Sequence, residues 1–407
     1  MEYLQEMKGH KLVNLYSQLK GPVLLRVDLN SPKDNEGMIV ANSLRLRINA
    51  DMMGLYAQHA GLVVLAHQGR KGDDDFGSLK EQHRLLLGML PRDIEIEFIP
   101  HDAAFALETR AKIAKLAPGH IMLYENVREF DFETKFDAKT CPYINFFKGV
   151  INTCVNDAIG VLHRKDASMR ALPYIAPTFV GMPTMSEIWI MESVRNSKEK
   201  KVLISGGKKP EKADNLKAIH MSGIEGLTGG VVGQAIARMR GHDMGESNNA
   251  YIELTYSQDD IEAAKMLASL DNVSHPLDFV ILENGETRTV ELGDLRFSKG
   301  LICDIGPMTV EEYARRSEEK EIRWRAGPLG RAEDPRFRNG VELTKRIVGP
   351  RLAFLGGDTA HELAQSGLES LIKSAGGEIM QGGGSILHGL AGKNYPSLDD
   401  ILELQRK

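Results

Sequence analysis

The chain has 407 residues, 42% of them hydrophobic and 26% charged, with a formal net charge of −5. That length exceeds what one hydrophobic core commonly serves, so two domains are expected. The slightly acidic balance argues against the broad basic face of a nucleic-acid binder. No run approaches the ~18 consecutive apolar residues of a membrane span, and no basic stretch followed by an apolar one opens the chain. Cys141, Cys154 and Cys303 are scattered without metal-ligand spacing, which points to a reducing compartment with neither a disulfide framework nor a zinc site. A cytoplasmic protein is expected.

In the first half, strand-like apolar runs each end in a polar or charged cluster. Val23–Leu25 leads into Arg26-Val27-Asp28-Leu29-Asn30-Ser31-Pro32, and a helix is predicted over Leu44–Ala60. Leu62–Leu65 leads into Ala66-His67-Gln68-Gly69-Arg70, and Ile121–Tyr124 into Glu125-Asn126-Val127-Arg128. Val150–Val155 leads into Asn156-Asp157-Ala158-Ile159-Gly160, with His163 and Arg164 close behind. Ligands of open α/β sheets sit beyond the carboxyl ends of the strands. Arginines at several such ends therefore describe an anion pocket, because a guanidinium fork matches phosphate and carboxylate.

Pro173, Pro177 and Pro183 precede Met185–Lys201, where Ile188, Met191 and Val194 recur at helical spacing and Ser186 is a candidate N-cap. This segment is predicted to be a helix joining two domains, over residues 185–200. The second half repeats the βα rhythm with glycines at the strand ends: Gly206-Gly207-Lys208-Lys209, Gly229-Gly230, Asp304-Ile305-Gly306-Pro307, Gly356-Gly357-Asp358-Thr359 and Gly382-Gly383-Gly384. Glycines at strand-to-helix turns let backbone N–H groups approach a phosphate. Ala360–Gln365 reads as the helix after Thr359, so Asp358 is either a carboxylate for Mg²⁺ or a simple N-cap. The fold class predicted is α/β, with two Rossmann-like three-layer domains built on parallel sheets and a cleft between them.

Taken in order, the motifs at 26–32, 66–70, 125–128 and 156–164 resemble the N-domain motifs of phosphoglycerate kinase. Those at 206–209, 227–232, His275-Pro276-Leu277-Asp278-Phe279-Val280, 304–307, Gly327-Pro328-Leu329-Gly330-Arg331-Ala332-Glu333, 355–360 and 382–384 resemble its C-domain motifs. The Ala-His-Gln and Thr-Gly-Gly-Val forms are similar to archaeal members.

The resemblance implies reversible phosphoryl transfer between ATP and the carboxylate of 3-phosphoglycerate, with Mg²⁺ and without nucleic-acid or membrane partners. A monomer is expected, with a dimer as the alternative. The implied division is residues 1–184 for 3-phosphoglycerate and 201–392 for the nucleotide, with 393–407 packing back on the first domain. Asp28 and Asn30 would hold the hydroxyl and carboxylate end. His67, Arg70, Arg128 and Arg164 would clamp the 3-phosphate, and Arg45 would face the reacting carboxyl group. Arg45, Lys209, Gly357 and Gly383 would stabilise the transferring group. Gly327, Glu333, Gly356, Gly357, Asp358 and Thr359 would bind the nucleotide together with Lys209, and Asp358 would carry the metal.

Several positions depart from the family pattern. Ala326 stands at its asparagine, Met380-Gln381 at its Ser-Thr and Ala213 at its second lysine, beside Lys212. Arg323, Arg325 and Arg331 are additional charges. A paralogous kinase for another phosphorylated acid and a silent phospho-acid sensor are the competing readings.

Overall fold

The computed structural model describes residues 19–34, 36–208 and 213–405. The chain divides into two compact units, one running to Ser193 and resuming at Lys393, the other covering Val194–Gly392. The first unit is built on a six-stranded parallel sheet of order β3-β4-β2-β1-β5-β6. Its strands are β1 (Val23–Val27), β2 (Leu62–Leu65), β3 (Glu95–Ile99), β4 (His120–Tyr124), β5 (Thr153–Asp157) and β6 (Thr178–Val180).

The reason for parallel pairing lies in the apolar runs. Val23, Leu25 and Val27 face one core with Leu62 and Val64, whereas Leu24 faces another with Val63 and Leu65. A strand apolar on both sides needs both faces covered, which βα crossovers provide. Each fully buried leucine or valine contributes roughly 1.5–3 kcal/mol. Because β2–β4 lie on one side of β1 and β5–β6 on the other, the chain reverses its strand order at β1/β5, where α/β sheets open a crevice.

The first helix among the described residues spans Leu44–Ala57, shorter than predicted, and is N-capped by Ser43, whose side chain accepts from Leu46 N. The helix at the unit boundary runs Met182–Asn196, so it begins before Ser186, which is an interior residue and no cap. Pro183 is tolerated in the first turn because its missing N–H would have had no intrahelical partner. The cap is Asp157, whose Oδ1 accepts from Thr184 N at 3.1 Å. The Pro396–Gln405 helix is tied to the rest of its unit by Arg170, which donates to both carboxylate oxygens of Asp400 at 2.6 and 2.9 Å.

The second unit has a six-stranded parallel sheet of order β15-β14-β13-β7-β8-β9 and a separate three-stranded sheet β11-β10-β12. The strands are β7 (Lys201–Ser205), β8 (Glu225–Thr228), β9 (Val273–Ser274), β10 (Asp278–Glu283), β11 (Glu286–Glu291), β12 (Leu301–Ile305), β13 (Ile322–Ala326), β14 (Leu352–Leu355) and β15 (Glu378–Met380). The small sheet is antiparallel, an addition to the parallel pattern. Asn284 and Gly285, both at positive φ, make the two-residue hairpin turn that joins β10 to β11.

Candidate active site

The carboxyl ends of β1 and β2 and the loop after β5 bring the first-unit residues together. Asp28, just past β1, is 2% exposed. Its Oδ1 accepts from Asn30 N at 3.1 Å, and its Oδ2 lies 3.3 Å from Arg45 Nε. Arg45 sits in the first turn of the Leu44–Ala57 helix and donates from Nη1 to Asn30 O at 2.6 Å. The Asn30 side chain accepts from Gly69 N at 2.8 Å, and Gly69 O accepts from Arg128 Nη1. Gly69 has φ +63, and a Cβ there would meet Phe76 N at 2.3 Å, so only glycine fits this turn. Gly160 approaches still more closely, since a Cβ would fall 1.9 Å from Asp28 Oδ2.

Charge defines this cluster. His67 is 1% exposed. Burial, followed by Arg26, Arg128, Arg45 and Arg164, holds its imidazole well below the ordinary range. His67 is therefore neutral, and its 3.9 Å approach to Asp28 is no ion pair. Burial, then the neighbouring Arg164, lowers Arg128 to about 10. Asp166 lies 4.0 Å from Arg128 Nη2 and relieves part of this repulsion. Arg70 is exposed, next in sequence to Gly69, and its side chain has no hydrogen-bond or ion-pair partner among the described residues. Asp28, Asn30, Arg45, His67, Arg128 and Arg164 thus share one electropositive patch, with Arg70 at its margin.

In the second unit, a pocket of about 330 Å³ is lined by Gly207, Gly230, Gln234, Phe279, Leu329 and Glu333, among others. Backbone pairing explains its walls. Gly207 N donates to Pro328 O and Gly230 N to Leu329 O, both at 2.8 Å, so three glycine-bearing loops close on each other. Gly327 N donates to Thr359 Oγ1 at 2.8 Å, tying the start of the Gly357–Gln365 helix to the pocket edge. Gly356 and Gly383 pack Cβ-position to Cα at 3.0 Å, so two helix N-termini lie side by side.

That helix begins at Gly357 and not at Ala360, because Gly356, at φ 91, turns the chain into it early. Asp358 therefore lies in the first turn with its carboxylate exposed and without a partner among the described residues. It is not the N-cap. A single free carboxylate beside the N–H groups of a helix N-terminus could hold Mg²⁺, which is commonly held by one or two carboxylates plus substrate phosphates. Lys209 and Lys212 lie outside the described residues.

Arg325, unassigned from the sequence, is wholly buried and donates from Nη2 to both oxygens of Glu362 at 2.6 and 2.7 Å. Arg323 donates to Pro350 O at 3.0 Å. Both tie the sheet to its surroundings, whereas Arg331 lines the pocket. Sequence reasoning missed Arg26 and Gly160. Arg26 looks like the start of a polar cluster but is inside β1 and 0% exposed. Gly160 carried a signal as the glycine directly after a charged strand end.

Residues 16–393 match the model of the family described as phosphoglycerate kinase. The chain is 32% identical over 396 residues to the phosphoglycerate kinase of Sulfolobus acidocaldarius, with 93% of this chain and 92% of the relative covered. It is 31% identical over 401 residues to that of Sulfurisphaera tokodaii, with 93% and 92% covered. Among solved structures, phosphoglycerate kinase from Pyrococcus horikoshii superposes with a TM-score of 0.81 at 28% identity, covering 95% of this chain and 97% of that one. The chain belongs to the phosphoglycerate kinase family, phosphotransferases that use a carboxyl group as acceptor.

Proposed function

We propose that the first-unit patch binds 3-phosphoglycerate and that the chain transfers a phosphoryl group between its carboxylate and ATP, giving 1,3-bisphosphoglycerate. The observation that carries this reading is the meeting of Arg26, Arg45, Arg128 and Arg164 around a neutral His67. Such a concentration of cations is costly unless a multiply charged anion enters it. Arg128 and Arg164, with Arg70 from the margin, clamp the 3-phosphate, and His67 donates a neutral hydrogen bond to it. Asp28 and Asn30 orient the hydroxyl and carboxylate end, and Arg45 faces the carboxylate that reacts.

Glu333 bonds the ribose, and Gly327, Gly356, Gly357 and Thr359 surround the phosphates. Lys209 and the N–H groups at Gly357 and Gly383 offset charge on the transferring group. Mg²⁺ held by Asp358 neutralises phosphate charge when bound. Because an acyl phosphate hydrolyses readily, closure about the Met182–Asn196 helix and the loop near Gly383 would exclude water. The chain is proposed to act as a cytoplasmic monomer.

A coupled assay with ATP, Mg²⁺ and either 3-phosphoglycerate or other phosphorylated acids tests the proposal. Preferential turnover of 3-phosphoglycerate is expected. Preference for another acid would make the chain a paralogous carboxylate kinase, and binding without turnover a sensor.

A further inference from the structure

Behind the arginine patch lies a line of buried groups that the reaction itself does not touch. Glu133, 1% exposed, accepts from Ser168 Oγ at 2.5 Å and from Ser168 N at 3.1 Å. The Ser168 hydroxyl has given its one proton to Glu133, so its lone pair is what accepts from Arg26 Nε at 2.9 Å. Arg26 also donates from Nη1 to Val27 O, and its Nη2 faces His67 Nδ1 at 3.4 Å. A guanidinium has no acceptor. His67 Nδ1 must therefore be bare, and the ring proton must sit on Nε2, which has no partner among the described residues. Arg26 thus donates at both ends of the line, to Ser168 on the Glu133 side and to His67 on the other.

We propose that Glu133, through Ser168, is a positioning residue that aims Arg26 and so fixes His67 as the Nε2–H tautomer, the form that can donate a hydrogen bond to a bound phosphate. The assignment deepens the reading of the patch as an acid site. Without the Glu133 acceptor, the Ser168 proton is free to turn toward Arg26, and the Arg26 side chain loses the contact that orients it. His67 can then hold its proton on Nδ1, facing Asp28 Oδ1 at 3.9 Å.

The groups facing Glu133 are Arg26, Ser168, Tyr143, Cys141 and Asp166. Those facing His67 are Arg26, Arg45, Arg128, Arg164 and Asp28. Burial, opposed chiefly by Arg26, raises Glu133 to about 7. The line is therefore intact above that pH and weakened below it.

Long-range ¹H–¹⁵N spectra of the full-length chain test the tautomer directly, with the His67 signal identified by its loss in His67→Gln. The wild type should show a neutral ring, protonated on Nε2, at pH 8. Glu133→Leu, which removes the acceptor, and Ser168→Ala should each shift the ring toward Nδ1–H and raise KM for 3-phosphoglycerate about tenfold, as expected for losing a hydrogen bond to a charged group. KM for ATP should stay unchanged, which separates this effect from a general loss of folding. In Glu133→Leu, the rise of KM as pH falls through 7 should flatten relative to wild type, leaving only the substrate's own titration. Nδ1–H or imidazolium in the wild type would overturn the proposal, as would an unaltered His67 spectrum in both variants. Because the spectrum is read without substrate, failure of the acid-site reading alone would leave the tautomer result standing.

Discussion

Each half of the molecule buries an arginine at the fourth position of a five-residue central strand, Arg26 in β1 and Arg325 in β13. Both are 0% exposed. Arg325 meets its carboxylate directly, with both Glu362 oxygens within 2.7 Å of Nη2. Arg26 reaches Glu133 only through the Ser168 hydroxyl and spends Nη2 on His67. The same residue type at equivalent places thus does different work. A cation paired bidentately is locally neutral and serves the fold, whereas one separated from its carboxylate by a hydroxyl lends positive field to a pocket.

A parallel contrast involves two helix-capping aspartates, each packed on a glycine. Asp278 accepts from Met308 N, Thr309 N and Thr309 Oγ1, while Asp157 accepts from Thr184 N and leaves Oδ2 without a hydrogen-bond partner.

The comparison can be broken at graded cost. Glu362→Ala would leave Arg325 charged and unpaired in the sheet, and should lower the stability of the second unit by about 3–5 kcal/mol in urea unfolding. Arg45→Ala removes the charge proposed to face the reacting carboxylate. Turnover should fall by roughly 10²–10³-fold or more, while ATP affinity measured by calorimetry stays nearly unchanged. Full activity would remove that role. Gly160→Ala drives a methyl group into Asp28 Oδ2 and should cost about 1–3 kcal/mol, read chiefly as a higher KM for 3-phosphoglycerate.

An effect seen only through pH concerns Asp157, which burial raises to about 6 from an ordinary value of 3.8. Between those values the folded chain keeps a proton that the unfolded chain has lost. Stability from this group therefore falls as pH rises through the window and is fully lost above 6. Asp157→Asn keeps the cap acceptor and should flatten that slope, a change on the order of 3 kcal/mol across the window. Asp278→Asn, which keeps Oδ1 for Thr309 but loses the bond from Met308 N to Oδ2, should only destabilise.

The sheets and the site were legible in the sequence to different depths. Runs such as Leu62–Leu65 are apolar throughout, which marks a parallel strand covered on both faces and makes the fold plain. The charged residues after these runs marked the acid patch for the same reason, since a strand end is where a buried sheet can present polar groups. Arg26 was hidden because an arginine after three apolar residues reads as the end of the strand, and two of the partners that make its burial tolerable, Ser168 and His67, are far away in sequence. Asp358 read equally as cap and metal ligand, because whether Gly356 takes positive φ is decided by packing against Gly383. Arg325 could not be assigned without seeing Glu362 across the sheet.

The central claim is that the β1–β5 crevice grips a small, multiply charged acid independently of the nucleotide. Calorimetric titration of 3-phosphoglycerate into the full-length chain and into Arg128→Leu tests this most directly. Saturable binding in the wild type, lost in the variant while ATP binding is retained, is the predicted result. Equal 3-phosphoglycerate affinity in the two proteins would contradict it.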